Sequence, residues 1–187
     1  KAMGWIYPDL AVAIAVDPAG AVYTTGFFEG TTDLDPNAGS VLLSSQGLQD
    51  VFVSKLSASG DYVWGKTFGG LDSDYGWGIA VDASLNVYTT GTFRSAVDFD
   101  PGAGAVPLTS AGLEDIFVSK LGPSGNFGWA KQIGGIGYDA GTALAGDARG
   151  GRRRQQRTDE CRDERRGGQH GLRCGSGSTR DGPADGH

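Results

Sequence analysis

A chain of 187 residues with 33 glycines, 10% aromatic side chains and two cysteines is long enough to bury a core, and its composition suits short strands joined by tight turns. It excludes a disulfide scaffold, and no apolar run reaches the ~20 residues of a membrane-spanning helix. The net charge of −6 hides two unlike parts: residues 1–148 carry 6 Lys/Arg against 16 Asp/Glu, whereas residues 149–187 carry 10 Arg against 6 Asp/Glu together with both cysteines and both histidines.

Shifted by 65 residues, the sequence overlays itself without a gap. Between 13–70 and 78–135, 32 of 58 aligned positions are identical. Val22-Tyr23-Thr24-Thr25-Gly26 falls on Val87-Tyr88-Thr89-Thr90-Gly91, and Asp50-Val51-Phe52-Val53-Ser54-Lys55-Leu56 falls on Asp115-Ile116-Phe117-Val118-Ser119-Lys120-Leu121. A period of this length marks a supersecondary unit that buries its faces against neighbours. The organisation expected is residues 1–12 as the end of a preceding unit with its linker, repeats at 13–77 and 78–141, the start of a third at 142–148, and a separate tail at 149–187.

In chain order, each repeat reads as four strands. The first is short and apolar, Val12–Asp17 and Gly78–Asp82. A turn over Pro18-Ala19-Gly20 or Ala83-Ser84-Leu85-Asn86 leads to the second, Val22–Phe28 and Val87–Phe93. An insertion follows, carrying Asp33-Leu34-Asp35-Pro36 or Asp98-Phe99-Asp100-Pro101 and a small hairpin at Val41–Ser44 and Val106–Thr109. The third strand is Val51–Leu56 and Ile116–Leu121, where polar and apolar residues alternate. A Ser-Gly turn leads to the fourth, Tyr62–Thr67 and Phe127–Gln132, which carries the Trp of each repeat. Four strands, short turns and a Gly-Gly link predict an all-β fold of β-propeller blades. Two blades are complete, partial units flank them, and the ring is incomplete.

The strings Gly78-Ile79-Ala80-Val81-Asp82, Asn86-Val87-Tyr88-Thr89-Thr90-Gly91, Asp115-Ile116-Phe117-Val118-Ser119-Lys120-Leu121 and Trp129-Ala130-Lys131 resemble the bacterial SBBP family of β-propeller repeats. The Asp98-Phe99-Asp100-Pro101-Gly102 insertion is similar to the longer form of those repeats. The resemblance runs from about residue 1 to 147. It implies a multi-bladed propeller in an exported or cell-surface bacterial protein, with no catalytic residues, and further blades of the same protein as its neighbours.

The constellation with most chemistry is the insertion loop. Asp33, Asp35 and Asn37 in one copy, and Asp98 and Asp100 in the other, place alternate oxygen ligands in a Gly-containing loop, the arrangement a hard cation such as calcium needs. Gly is missing from the sixth position (Ala38, Ala103), and Ser44 or Thr109 stands at the twelfth. The competing and favoured reading is a turn in which the Asp side chains cap backbone amides. Residues 1–148 hold no His and no Cys, so a nucleophilic triad is excluded there. Trp64 and Trp129 are expected between neighbouring units, and Asp50 and Asp115 are expected to accept bonds from loop amides.

The expectation is therefore a non-enzymatic structural or binding scaffold for a protein or glycan ligand. The alternative is a fragment of a carbohydrate-active propeller enzyme whose catalytic residues lie in other blades. In the tail, Cys161, His170, Cys174 and His187 have spacings that fit no familiar zinc module. Six acids dilute Arg152-Arg153-Arg154 and Arg165-Arg166, so no nucleic-acid partner is expected. The tail is expected to be disordered, and its abrupt loss of period reads as out-of-frame text.

Overall fold

The computed structural model describes residues 9–146 and, in a separate unit, two two-residue strands. In the larger unit there is no helix among the described residues. Two four-stranded antiparallel sheets follow one another along the chain. The first comprises β1 (Asp9–Val16), β2 (Val22–Asp33), β3 (Leu42–Leu56) and β4 (Tyr62–Phe68), in that spatial order. The second comprises β5 (Tyr75–Val81), β6 (Val87–Phe93), β9 (Asp115–Leu121) and β10 (Phe127–Ile133), also in sequence order. A two-stranded hairpin, β7 (Ala96–Asp98) with β8 (Pro107–Thr109), is inserted between β6 and β9. The described residues form two such sheets and no closed ring. The tail's unit, Arg152–His187, contains one antiparallel pair, β11 (Arg162–Asp163) with β12 (Leu172–Arg173). The expectations of disorder and of no zinc module there otherwise concern positions outside the described residues.

The first strand begins three residues earlier than the pattern suggested in each copy, at Asp9 and Tyr75. The cause is a bulge, between Ala11 and Ala13 in β1 and between Gly76 and Gly78 in β5, which reverses the side-chain alternation part-way along. A strict two-residue period therefore reads only the second half of the strand.

The insertion hairpin is present in both copies: one arm falls within the expected Val41–Ser44 and Val106–Thr109, and the other, Thr31–Asp33 and Ala96–Asp98, lies outside the strands expected from the pattern. Thr31, Thr32 and Asp33 oppose Ser44, Leu43 and Leu42, while Ala96, Val97 and Asp98 oppose Thr109, Leu108 and Pro107. In the first copy it is a continuation of β2 and β3, which is why those strands run to 12 and 15 residues. The kink before it falls at one repeat position, Gly30 with φ +73° and Ser95 with φ +59°. Both amides are held alike: Gly30 N–H donates to Ser45 Oγ and Ser95 N–H to Ser110 Oγ, each at 2.9 Å. Glycine takes the left-handed conformation freely, whereas serine does so at a cost.

The main core lies between the two sheets. Tyr23, Val51, Val53, Trp64 and Phe68 come from the first, and Ile79, Val81, Val87, Phe93, Phe117 and Leu121 from the second. Phe99, from the insertion loop, sits at its centre, with ring centroids 5.3 Å from Phe68, 5.3 Å from Phe93 and 5.1 Å from Phe117. Burying one such ring contributes about 1.5–3 kcal/mol. Its counterpart Leu34 is buried with Phe28 and Phe52. The middle residue of each Asp-apolar-Asp-Pro string is thus the plug that fixes the insertion to the sheet.

Candidate functional site

The insertion loops show what their carboxylates do. Asp33 Oδ1 accepts the N–H groups of Asp35 (3.0 Å) and Val41 (2.9 Å), and its Oδ2 accepts from Ser40 Oγ at 3.2 Å. Asp98 Oδ1 accepts from Asp100 N (3.0 Å) and Val106 N (2.8 Å). Asp35 and Asp100 each accept the N–H two residues on, from Asn37 and Gly102, at 2.8 Å. Each acid closes a tight turn on itself, the capping behaviour that Asp shows in loops. Among the described residues no three acidic, His or Cys side chains gather as a metal would require. In these loops the carboxylates of Asp33, Asp35, Asp98 and Asp100 accept from backbone amides, and Asp33 also from a hydroxyl, while Asn37 donates its side-chain Nδ2 to Asp61 Oδ1 at 3.4 Å.

A second pair of carboxylates works the same way at the end of each first strand. Asp17 Oδ1 accepts from Ala19 N and Ala21 N, and Tyr23 O–H donates to its Oδ2 at 3.1 Å. Asp82 repeats this with Ser84 N, Asn86 N and Tyr88 O–H. Lys55 and Lys120 then lie over the Tyr23 and Tyr88 rings, 4.9 and 5.5 Å from the centroids.

The junction between the sheets carries the buried acids. Asp50 is fully buried; its Oδ2 accepts from Gln46 N at 3.0 Å and its Oδ1 has no hydrogen-bond partner. Asp115 matches it, with Ala111 N and Gln132 Nε2 on Oδ2. Both fulfil the expectation that these acids take loop amides. Burial pushes the Asp50 carboxyl up to about 6, the Gln46 amide only partly opposing it. Gly69 is where the chain passes over this carboxyl: a Cβ there would lie 2.3 Å from Asp50 Cγ, and one on Gly134 would lie 2.5 Å from Asp115 Cγ. The Gly-Gly link is therefore a clearance requirement.

Asp74 is a buried junction position that the sequence patterns above do not single out. It is fully buried, and it joins three segments. Its Oδ2 accepts Gly70 N at 2.8 Å, its Oδ1 accepts Arg94 N at 3.0 Å, and its own N–H donates to Gln49 O at 2.7 Å. Burial pushes its carboxyl up to about 7; the two amide bonds pull down, and Asp50 and Asp72 push further up. A signal was present: Asp9, Asp74 and Asp139 stand 65 residues apart. Asp139 repeats the geometry, its Oδ2 accepting Gly135 N at 2.8 Å and its N–H donating to Glu114 O at 2.9 Å.

Trp64 lies at this junction as expected. Its indole N–H donates to Pro123 O of the second repeat at 3.0 Å, and its ring meets Tyr23 edge to face at 6.3 Å.

One cluster breaks the repeat. Phe27, Tyr75 and Trp77 are half-buried at the rim of the junction, where the other copies have Thr92, Leu10 or Ala140, and Val12 or Thr142. Tyr75 and Trp77 stack at 5.5 Å and 25°, and Phe27 meets them edge-on at 4.8 and 6.1 Å. Trp77 Nε1 donates to Thr92 Oγ1 at 3.3 Å. Beside the rings runs a polar chain: Ser73 O–H donates to Gln49 Oε1, and Gln49 Nε2 donates to Glu29 Oε2 at 2.6 Å. Glu29 and Gln49 are likewise unrepeated, standing opposite Arg94 and Glu114 in the second copy. A ring separation of 5.5 Å leaves no room for a cation between Tyr75 and Trp77.

No family model matches the chain. Over 96 residues, 46% of this chain, it is 27% identical to an uncharacterized WD repeat-containing protein of Acanthamoeba polyphaga mimivirus, of which the matched span is 7%. With the two equivalent sheets, that likeness supports a repeat-built, propeller-like all-β architecture.

Proposed function

We propose that this chain is a run of β-propeller blades of the SBBP kind, acting without catalysis as a scaffold that presents a glycan-binding rim. The observation that carries the reading is the unrepeated cluster of Phe27, Tyr75 and Trp77 beside Glu29 and Gln49. Elsewhere the repeated carboxylates close turns and loops. At the rim, half-exposed rings stand where neither neighbouring copy keeps them. Aromatic faces pack against the C–H faces of a sugar ring, and a carboxylate and an amide take its hydroxyls.

A non-catalytic role is supported by the two acids with raised pKa, Asp50 and Asp74, which are fully enclosed and out of a saccharide's reach. A carbohydrate-active enzyme would need its carboxylates from other blades. An exported or cell-surface location rests on the resemblance to the SBBP repeats. The test is a screen of soluble oligosaccharides read by tryptophan fluorescence. Saturable binding is expected for one sugar class, weakened about tenfold or more in Trp77→Ala, a loss of roughly 1.4 kcal/mol. No response to any sugar, or equal binding by Trp77→Ala, refutes the glycan rim.

A further inference from the structure

The same repeat positions have opposite fates at the junction and at the two ends of the array. Ile79 is 6% exposed, but its counterpart Ile14 is 66% exposed. Trp64 is 8% and Phe68 2% exposed, but Trp129 is 37% and Ile133 58% exposed. The environment of the turn glycine changes likewise: Gly125 lies against the Trp64 ring, with a Cβ there 3.1 Å from the indole, whereas nothing lies within 4 Å of a Cβ on Gly60. The chemistry of these positions is kept; what differs is whether a neighbouring unit covers them.

The chain thus carries both halves of its internal junction a second time. The front half is the side of β1 that carries bulk after the bulge, with Ile14 and Val16 exposed; the back half is on β10, with Trp129 and Ile133 exposed. The two halves are different surfaces, and the internal junction joins front to back. Two copies that associate through those same contacts form a heterologous interface, which leaves one face of each kind open for the next copy.

We propose that copies of this chain associate head to tail, the back of the second repeat in one copy taking the front of the first repeat in another through the contacts of the internal junction. The occupant is specified by that junction: Trp129 would lie over Gly60 of the incoming copy and donate its indole N–H to Ala58 O, as Trp64 does to Pro123 O. The incoming β1 would take the place now held by residues 139–146. Gly141 lies against Thr90 and Ile116 there, just as Gly76 lies against Thr25 and Val51. This segment forms no strand and leaves a cavity of about 350 Å³ between Leu144, Ala145 and Gly146 and the side of Ala80, Asp82 and Tyr88. A complete neighbouring sheet would bury more apolar surface than this single segment does. The inference rests on the repeat-scaffold reading but not on the glycan rim.

The experiment is sedimentation velocity on the full chain over a concentration series, with Ile14→Asp to spoil the front and Ile133→Asp to spoil the back. Both side chains are exposed in the monomer, and circular dichroism checks that each variant folds. Wild type is expected to grow beyond a dimer with concentration, and each variant alone to stay monomeric. Mixed, the variants should form a 1:1 heterodimer and stop, because only one sound front and one sound back remain. A wild type that stays monomeric, a mixture that stays monomeric, or a single variant that still dimerises overturns the proposal. If wild type stays monomeric while Trp64→Ala still lowers its unfolding midpoint, the inference fails and the repeat-scaffold reading stands.

Discussion

Burying Asp74 makes the junction sensitive to pH in an unusual direction. A carboxyl that titrates near 3.8 when free is pushed up to about 7 in the folded chain, chiefly by burial. Between about pH 4 and pH 7 the folded state therefore holds more protons than the unfolded state. Where the native state binds the extra proton, stability falls as pH rises, so this group's contribution is fullest near pH 4 and is lost by about pH 7. A rise from 3.8 to about 7 corresponds to ~4 kcal/mol, each pH step of one contributing about 1.4 kcal/mol. Asp50, raised to about 6 by its own burial, acts in the same direction. Stability should thus increase on mild acidification, whereas proteins whose ionised carboxylates are favourably paired lose stability there.

The perturbation that isolates this is Asp74→Asn. Asn offers one acceptor oxygen where Asp74 uses two, on Gly70 N and Arg94 N. One amide is left unmet, at about 1–3 kcal/mol independent of pH. The variant never has to bury a charge. Relative to wild type it should be less stable near pH 4 and as stable or more stable near pH 8, the difference sweeping ~3–4 kcal/mol between them. The assay is urea unfolding at a series of pH values, followed by tryptophan fluorescence. A difference between the two proteins that stays constant from pH 4 to 8 would refute the reasoning.

Three further outcomes follow from the same geometry. Trp64→Ala should cost about 3–5 kcal/mol in denaturant unfolding, since it empties a buried site and unmakes the bond to Pro123, whereas Trp129→Ala should cost well under half of that. Gly69→Ala should destabilise by about 1–3 kcal/mol or more, because its methyl would meet the Asp50 carboxyl; Asp50→Ala in the same chain should remove most of that penalty, as a double-mutant cycle would show. Calcium at millimolar concentration should leave the melting temperature of the wild type unchanged, while Asp98→Ala should lower it with or without calcium by losing two amide bonds; a calcium-dependent rise abolished by Asp98→Ala would instead establish a metal site in these loops.

The 65-residue shift made the four-stranded unit legible because the residues that build it recur for local reasons. Asp17 and Asp82 close the first turn, Tyr23 and Tyr88 brace it, and Ser57-to-Gly60 and Gly122-to-Gly125 close the last turn. The bulges were not legible, since skipping one residue changes which side of a strand is buried without changing its composition. Asp74 was missed for another reason. Its partners are backbone amides of Gly70 and Arg94, and a carboxylate answered by main chain leaves no complementary side chain in the sequence. The aromatic rim shows the limit from the opposite side, because Phe27 lies in the first sheet and Tyr75 and Trp77 in the second, and none is kept at its equivalent position. Averaging the copies finds the framework and erases the rim.

The alternation of large and small residues along the first strand explains why such units need neighbours. After the bulge, Ile79 and Val81 are buried toward the first sheet, while Gly78 faces the segment beyond, a Cβ there falling 2.9 Å from Ala143 Cα. The strand presents bulk to the preceding unit and clearance to the following one. Bulk filling clearance is how two layers pack to interior density, and it gives every unit a direction. Two faces of one unit are thus complementary to each other and not to themselves. A sequence that repeats this polarity cannot satisfy both of its outer faces with the two units alone: the first leaves Ile14 without cover, the second Ile133. Such an array either grows, closes on itself or is capped, and the repeat fixes that choice in the alternation of side-chain size before any functional residue is added.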